Sequence, residues 1–216
     1  METEALIRML AHGPRAPSRA AVAKRMGRGT ALSLAAALLM LVFVIPGGVD
    51  STTLMARIST PVFWVKLMLP LSMLVASLRV AARLSRPGAR VGQAWTTLAL
   101  PVALVWIAAI AVLAFAPDSA RSALIFGHTW NTCSLHIALL SIPALAVLQF
   151  AMRGLAPTRP ALAGAAAGLL AGSIGALTYC LRCPEMEVPF WATWYLLGML
   201  LPTLVGVLTG PRVLRW

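Results

Sequence analysis

The sequence predicts an all-α, polytopic membrane protein: a six-transmembrane-helix bundle with N-terminus and C-terminus both cytoplasmic. Three observations carry this. Six apolar runs fill the chain, at roughly 30–47, 61–80, 94–116, 132–152, 161–181 and 188–209. Most reach the about 20 helical residues that cross a hydrocarbon core of about 30 Å; the first does so only with its flanks. The composition is 60% hydrophobic and 11% charged over 216 residues, more apolar surface than a water-soluble domain could cover.

The third observation is where the charges sit. The chain has 18 Lys and Arg against 6 Asp and Glu, a net charge of +12. In a soluble protein that surplus would point to nucleic acid. Here it is sorted by loop. With the N-terminus inside, the outer loops hold Arg57, Arg121 and Arg182, and Lys66 falls within the second span. The other basic residues lie in the N-terminal segment, the inner loops and the tail. Asp50, Asp118, Glu185 and Glu187 lie outside, Glu2 and Glu4 inside. This is the positive-inside pattern. The arginines then serve topology and contact with anionic membrane lipid, and no direct nucleic-acid partner is expected.

Residues 1–29 form the cytoplasmic N-terminal segment, 30–209 the transmembrane domain and 210–216 a cytoplasmic tail. In the first, Thr3 is a candidate N-cap and Glu4 suits the first turn. Leu6, Ile7, Met9 and Leu10 lie near one another on a short helix that Gly13, Pro14 and Pro17 end. Two readings stay open: a surface-lying or disordered leader, or a peptide that folds on a cytoplasmic partner with its apolar face in a groove. A basic region before an apolar run also suits a signal peptide. An uncleaved helix is the reading adopted, because no small-residue cleavage site stands out near Pro46 and Gly47.

Pro61 opens the second span, where its missing N–H costs nothing. Pro70, Pro101, Pro143 and Pro202 lie deeper and predict kinks that membrane bundles tolerate. In the fifth span Gly164, Gly168 and Gly172, spaced by four, make a ridge on which another helix can sit closely. Internal packing is the main reading and a homodimer contact the alternative. Lys66 lies about one turn inside the outer end of its span, where outward snorkelling is the simple expectation. Trp64, Trp130, Trp191 and Trp194 read as an outer aromatic belt, Trp95 and Trp216 as an inner one.

No Asp or Glu falls within a span, which weighs against proton-coupled transport. The aqueous segments are too short for a soluble catalytic domain, and no Walker A, HExxH, GxSxG or dinucleotide motif occurs. A non-enzyme without a resident cofactor is expected.

The three cysteines carry the chemistry. Cys133 lies at the outer end of the fourth span, and Cys180 and Cys183 at the outer end of the fifth. That side is oxidising, so disulfides form and persist there. Cys133-xx-His136 with Cys180-xx-Cys183 also has the ligand types of a zinc site, while three cysteines equally suit one disulfide and one free thiol. A structural disulfide, redox- or metal-responsive thiols with transient heavy-metal binding, and a permanent zinc site all stay open.

The run Cys183-Pro-Glu-Met-Glu-Val-Pro-Phe-Trp-Ala-Thr-Trp-Tyr195, Leu-Leu-Gly198, and Gly206 to Gly210-Pro-Arg-Val-Leu-Arg-Trp216 resembles the negative regulator of sigma F (NrsF) family. Trp130-Asn-Thr-Cys133, leading into Leu-Leu-Ser-Ile-Pro143, does so too. The resemblance implies a bacterial inner-membrane anti-sigma factor with six spans. It implies an extracytoplasmic-function sigma factor as partner, held by the cytoplasmic segment, with Leu6, Ile7, Met9 and Leu10 as contact candidates. It also implies two periplasm-facing cysteines that respond to oxidant or heavy metal, matching Cys133 and Cys183; Cys180 is an addition to that pair. A thiol-based membrane oxidoreductase or metal-handling protein is the alternative, and a small membrane transporter the second.

Overall fold

A computed structural model describes residues 3–4, 18–45, 51–86, 92–155 and 157–215. Among the described residues from Arg19 onward, eight helices follow one another: α1 Arg19–Phe43, α2 Ser51–Ile58, α3 Pro61–Leu84, α4 Ala94–Phe115, α5 Asp118–Phe126, α6 Trp130–Arg153, α7 Pro160–Tyr179 and α8 Val188–Val213. No strand occurs among the described residues. Six of these helices (α1, α3, α4, α6, α7 and α8) are long and apolar enough to cross a membrane. Leu6, Ile7, Met9 and Leu10 lie outside the described residues.

Large apolar side chains face outward around the bundle: Phe43, Leu104, Ile107, Phe115, Phe150 and Leu208 are all exposed. Such helices suit an apolar solvent, since their backbone hydrogen bonds are closed within each segment. Pro70, Pro101, Pro143 and Pro202 all lie inside helices that continue past them.

Five of these six helices lie over the apolar runs read from the sequence to within a few residues. The first differs. α1 starts at Arg19, eleven residues before the expected 30, and takes Lys24, Arg25 and Arg28 into helix. The Ser18 hydroxyl caps it, accepting from Ala21 N at 3.2 Å. Val22, Met26, Gly29, Ser33, Ala37 and Leu41 then form one buried stripe. The short helices α2 and α5 were not expected in their loops.

α7 is the centre. It touches α8, α6, α3 and α1, and most of its residues are buried. Its glycines let the α8 backbone come in: a Cβ on Gly164 would land on the Gly206 carbonyl, one on Gly168 on the Pro202 carbonyl, and one on Gly172 2.8 Å from Met199 Cα. The ridge is therefore spent within the chain, and the homodimer alternative is corrected: α8 already covers the face it needs. Close van der Waals contact of this kind is what would hold such helices together in lipid, where no hydrophobic force drives their association. α4 is the opposite case. Among its residues only Ala94 and Ala109 are buried, and it leans on α3 and the start of α8. Between α3 and α4 runs an apolar groove of about 660 Å³.

The alternating helices give the bundle two ends. At one, Gly154 after α6 lies against Arg25 of α1, and Gly210 of α8 against Pro160 of α7. This is the basic end. At the other, the first turns of α3, α6 and α8 meet the end of α7 around the cysteines. Each end has its own core: Val22, Met26, Leu148 and Met152 belong to the first, Leu69, Ile137, Tyr179 and Trp191 to the second.

Gly168→Ala forces a methyl into backbone and should cost about 1–3 kcal/mol, read as a lower Tm of the detergent-solubilised protein. Gly27 sits on the open face of α1 with nothing within 4 Å of a Cβ. Gly27→Ala should stabilise by about 0.5–1 kcal/mol and serves as the contrast.

Candidate functional site

The eight residues Cys180 to Glu187 link α7 to α8, and their path builds the site. The chain keeps winding past α7: Cys180 N donates to Ala176 O at 3.0 Å, Arg182 N to Tyr179 O at 3.0 Å and Cys183 N to Tyr179 O at 2.9 Å. This extra turn brings Cys183 back over the bundle. Pro184 has no N–H to continue it, and the chain then runs extended to Val188.

All three cysteines point inward and are fully buried thiols. Cys133, in the first turn of α6, and Cys183 lie in one buried core, near enough for each thiol to act on the ionisation of the other. Cys180 lies beside them. Cys133 and Cys183, the two thiols matched by the family resemblance, thus share one core with Cys180, and all three are free thiols.

Lys66 is also fully buried. Its Nζ donates to Cys183 O at 2.9 Å and to Glu185 O at 2.8 Å, and stands 5.5 Å from the Tyr195 ring centre. This corrects the snorkelling expectation. The ammonium finds oxygens inside the protein, where an unpaired charge would be costly. Trp191 is corrected likewise: it is 2% exposed, and its indole Nε1 donates to Glu185 O at 3.3 Å. It is part of the site rather than of a belt. Trp64 and Trp130 stay half-exposed, as a belt requires.

A π-helical turn, Trp191–Tyr195, opens α8. Its wider winding sets Trp191 and Tyr195 inward together, and such turns gather at functional sites. The buried Tyr195 hydroxyl has no hydrogen-bond partner, and the residue packs in the same core as the three cysteines.

The link is fastened from outside as well. Arg57 of α2 donates to Arg182 O at 2.8 Å. The Glu185 carboxylate accepts from His128 N at 2.8 Å, Thr129 N at 3.1 Å and Thr129 Oγ1 at 3.2 Å, tying the link to the corner between α5 and α6. Gly127 at that corner has φ +51°, and a Cβ there would lie 2.6 Å from Glu185 Oε2. Conformation and close approach both demand glycine.

His136 stands apart from this group. Its ring packs 5.6 Å from that of Tyr179, and its buried Nδ1 has no partner. Among the described residues no three His, Cys, Asp or Glu side chains group to hold a metal ion. What the site offers is two thiols in one buried core. The one that ionises first is Cys183, drawn below the ordinary thiol range by the Cys133 thiol and then by the Lys66 charge, against the opposing effect of burial. Cys180, in contrast, is pushed up to about 12 by burial. A lowered thiol is the reactive one.

Residues 10–216 match the family described as negative regulator of sigma F, NrsF. The chain belongs to the NrsF family. Two similar proteins are covered end to end, with 100% of each chain aligned: the probable anti-sigma-F factor NrsF of Azospira oryzae, 44% identical over 216 residues, and the anti-sigma-F factor NrsF of Caulobacter vibrioides, 36% identical over 217 residues. No solved structure matches the chain. In this NrsF member the residues that sequence reading missed are Tyr195 and the Lys66–Trp191–Glu185 set. Lys66 was signalled as a charge inside an apolar run, and Glu185 only as an acid in the loop that follows Cys183.

Two outcomes test the site. Glu185→Ala should destabilise the protein by about 1.5–3 kcal/mol, the range for hydrogen bonds to a charged group, with Glu185→Gln milder, both read as Tm. The alkylation rate of Cys183 should rise with pH through a midpoint below the ~8.5 of a free thiol, because its thiolate persists to lower pH. Cys133→Ala removes the neighbouring thiol and should move that midpoint upward.

Proposed function

We propose that the chain is an integral anti-sigma factor of the bacterial inner membrane, with its thiol end facing the periplasm and its basic end and both termini in the cytoplasm. It holds a sigma factor of the extracytoplasmic-function class through the N-terminal segment, with Leu6, Ile7, Met9 and Leu10 as the apolar contact. The observation that carries this is the end-to-end similarity to two anti-sigma-F factors. The charge sorting supports the orientation. The protein acts by binding and releasing, without turnover and without a resident cofactor.

The thiols are the receiver. Cys133 and Cys183 together lose two protons and two electrons and join as a disulfide. A hydroperoxide takes up both and leaves as an alcohol and water. A soft metal ion offers a second trigger, since thiolates are its preferred ligands: bridging the two sulfurs displaces their protons. Cys180, buried beside the pair, is the reserve thiol. Either event changes the link between α7 and α8, and release follows when the altered bundle has lower affinity for the sigma factor.

The test is capture of a sigma factor from detergent-solubilised membranes. The intact protein should retain one, and oxidant or cadmium should release it. Cys133→Ser with Cys183→Ser should abolish that response, and deletion of residues 1–28 should abolish capture. Failure to capture a sigma factor under any condition would sink the reading.

A further inference from the structure

Lys66 is the structure's most demanding side chain. It sits in the second turn of α3, fully enclosed. Its ammonium has two oxygen partners, the carbonyls of Cys183 and Glu185 at 2.9 and 2.8 Å, and one ring, Tyr195. Among the described residues no carboxylate pairs with it: Glu185 turns its own carboxylate away to His128 and Thr129. A buried ammonium keeps its place only while those acceptors stay with it. Both belong to the backbone around Cys183, one of the two thiols that the proposed response joins.

We infer that Lys66 is a positioning residue that ties α3 to the thiol link and gives way when Cys133 and Cys183 react. The inference rests on the thiol-response reading above. When the two sulfurs, neighbours in one buried core, lose two protons and two electrons to a hydroperoxide, they close to a bond of about 2.05 Å. That closure draws Cys183 toward α6, and its carbonyl with it. Lys66 hangs from α3, a separate helix, and does not follow. Its acceptors leave, and the ammonium turns out to water. α3 runs from Lys66 to Arg79 and Arg83 near the basic end, 17 residues or about 26 Å along a helix. It packs on α7 along the way and touches α1. A change at the thiols thereby reaches the end from which α1 leads back to the N-terminal segment.

The sequence supplies its own probe. Its lysines are Lys24 and Lys66; Lys24 is exposed on α1 and Lys66 enclosed. The full-length protein in lipid nanodiscs is treated with a membrane-permeant amine-acylating reagent, with thiols reduced or after hydrogen peroxide, and both sites are quantified by mass spectrometry. In the reduced protein Lys24 acylates and Lys66 does not. Once the Cys133–Cys183 bridge has formed, acylation at Lys66 rises several-fold relative to Lys24, and a Cys133→Ser variant shows no rise. A bridge that forms while Lys66 stays protected overturns the inference, whatever the sigma factor does. Lys66 that opens while the sigma factor stays bound upholds the inference and sinks the anti-sigma response instead. Lys66→Met adds a second arm: the bridge forms to the same extent, but sigma release no longer follows it. The footprint of the unaltered protein decides the matter even where that variant folds poorly.

Discussion

The close approach of α7 and α8 is the constraint from which the site follows. Gly164, Gly168 and Gly172 on one helix and Gly206 on the other bring two backbones together over several turns. A side chain at any of these contacts would push α8 away. The thiol link is the short connection between these two helices, so its span is fixed by their separation. With α8 held close, the link has more chain than the gap requires. It uses the surplus to wind one extra turn beyond Tyr179, and that turn aims Cys183 inward at Cys133.

A chain that turns inward takes its polar backbone away from water, and every donor and acceptor then needs a partner. Three carbonyls of the link find them on three other elements: Arg182 on Arg57, Cys183 on Lys66, and Glu185 on Lys66 and Trp191. Two of these partners are cations. Positive charge around the link favours whichever thiol ionises, and Cys183 is the nearer beneficiary. The same groups that satisfy the backbone thus make the site reactive. Structure and chemistry share one set of hydrogen bonds, so neither can change alone.

Most of the fold was legible because hydropathy reports span number directly. Five long helices lie within a few residues of the apolar runs, and the arginines fall mostly toward one end of the bundle. The start of α1 was missed because Arg19, Lys24, Arg25 and Arg28 lower the local hydropathy. The period of Val22, Met26 and Gly29 was the better signal, and Ser18 the matching cap. Of the site, topology alone put the cysteines at one end. The roles of Lys66 and Trp191 were read wrongly for one reason: position near a membrane interface says how deep a residue lies, not which way it faces. Lys66 and Cys183 are 117 residues apart, and no local pattern connects them. Tyr195 was hidden by the π turn, which shifts the inward face of α8 relative to a regular helix.

The unequal hold on the six long helices decides which of them can carry a change. α7 is locked by its neighbours on most sides, and α8 is locked to α7. α4 moves freely by comparison, since little of it is buried, but it lacks a polar tie to the link. α3 lies between these cases. It packs along α7, yet its face toward α4 borders an apolar groove, so it has room on one side. It is also the span whose charged side chain reaches the thiol link. Packed bundles switch between discrete arrangements rather than bending smoothly, and a switch through α3 would use the open side to move and the buried charge to be held. Among the long helices α3 combines a side open to the groove with a buried side chain on the link between α7 and α8, which is why the proposed response is assigned to it.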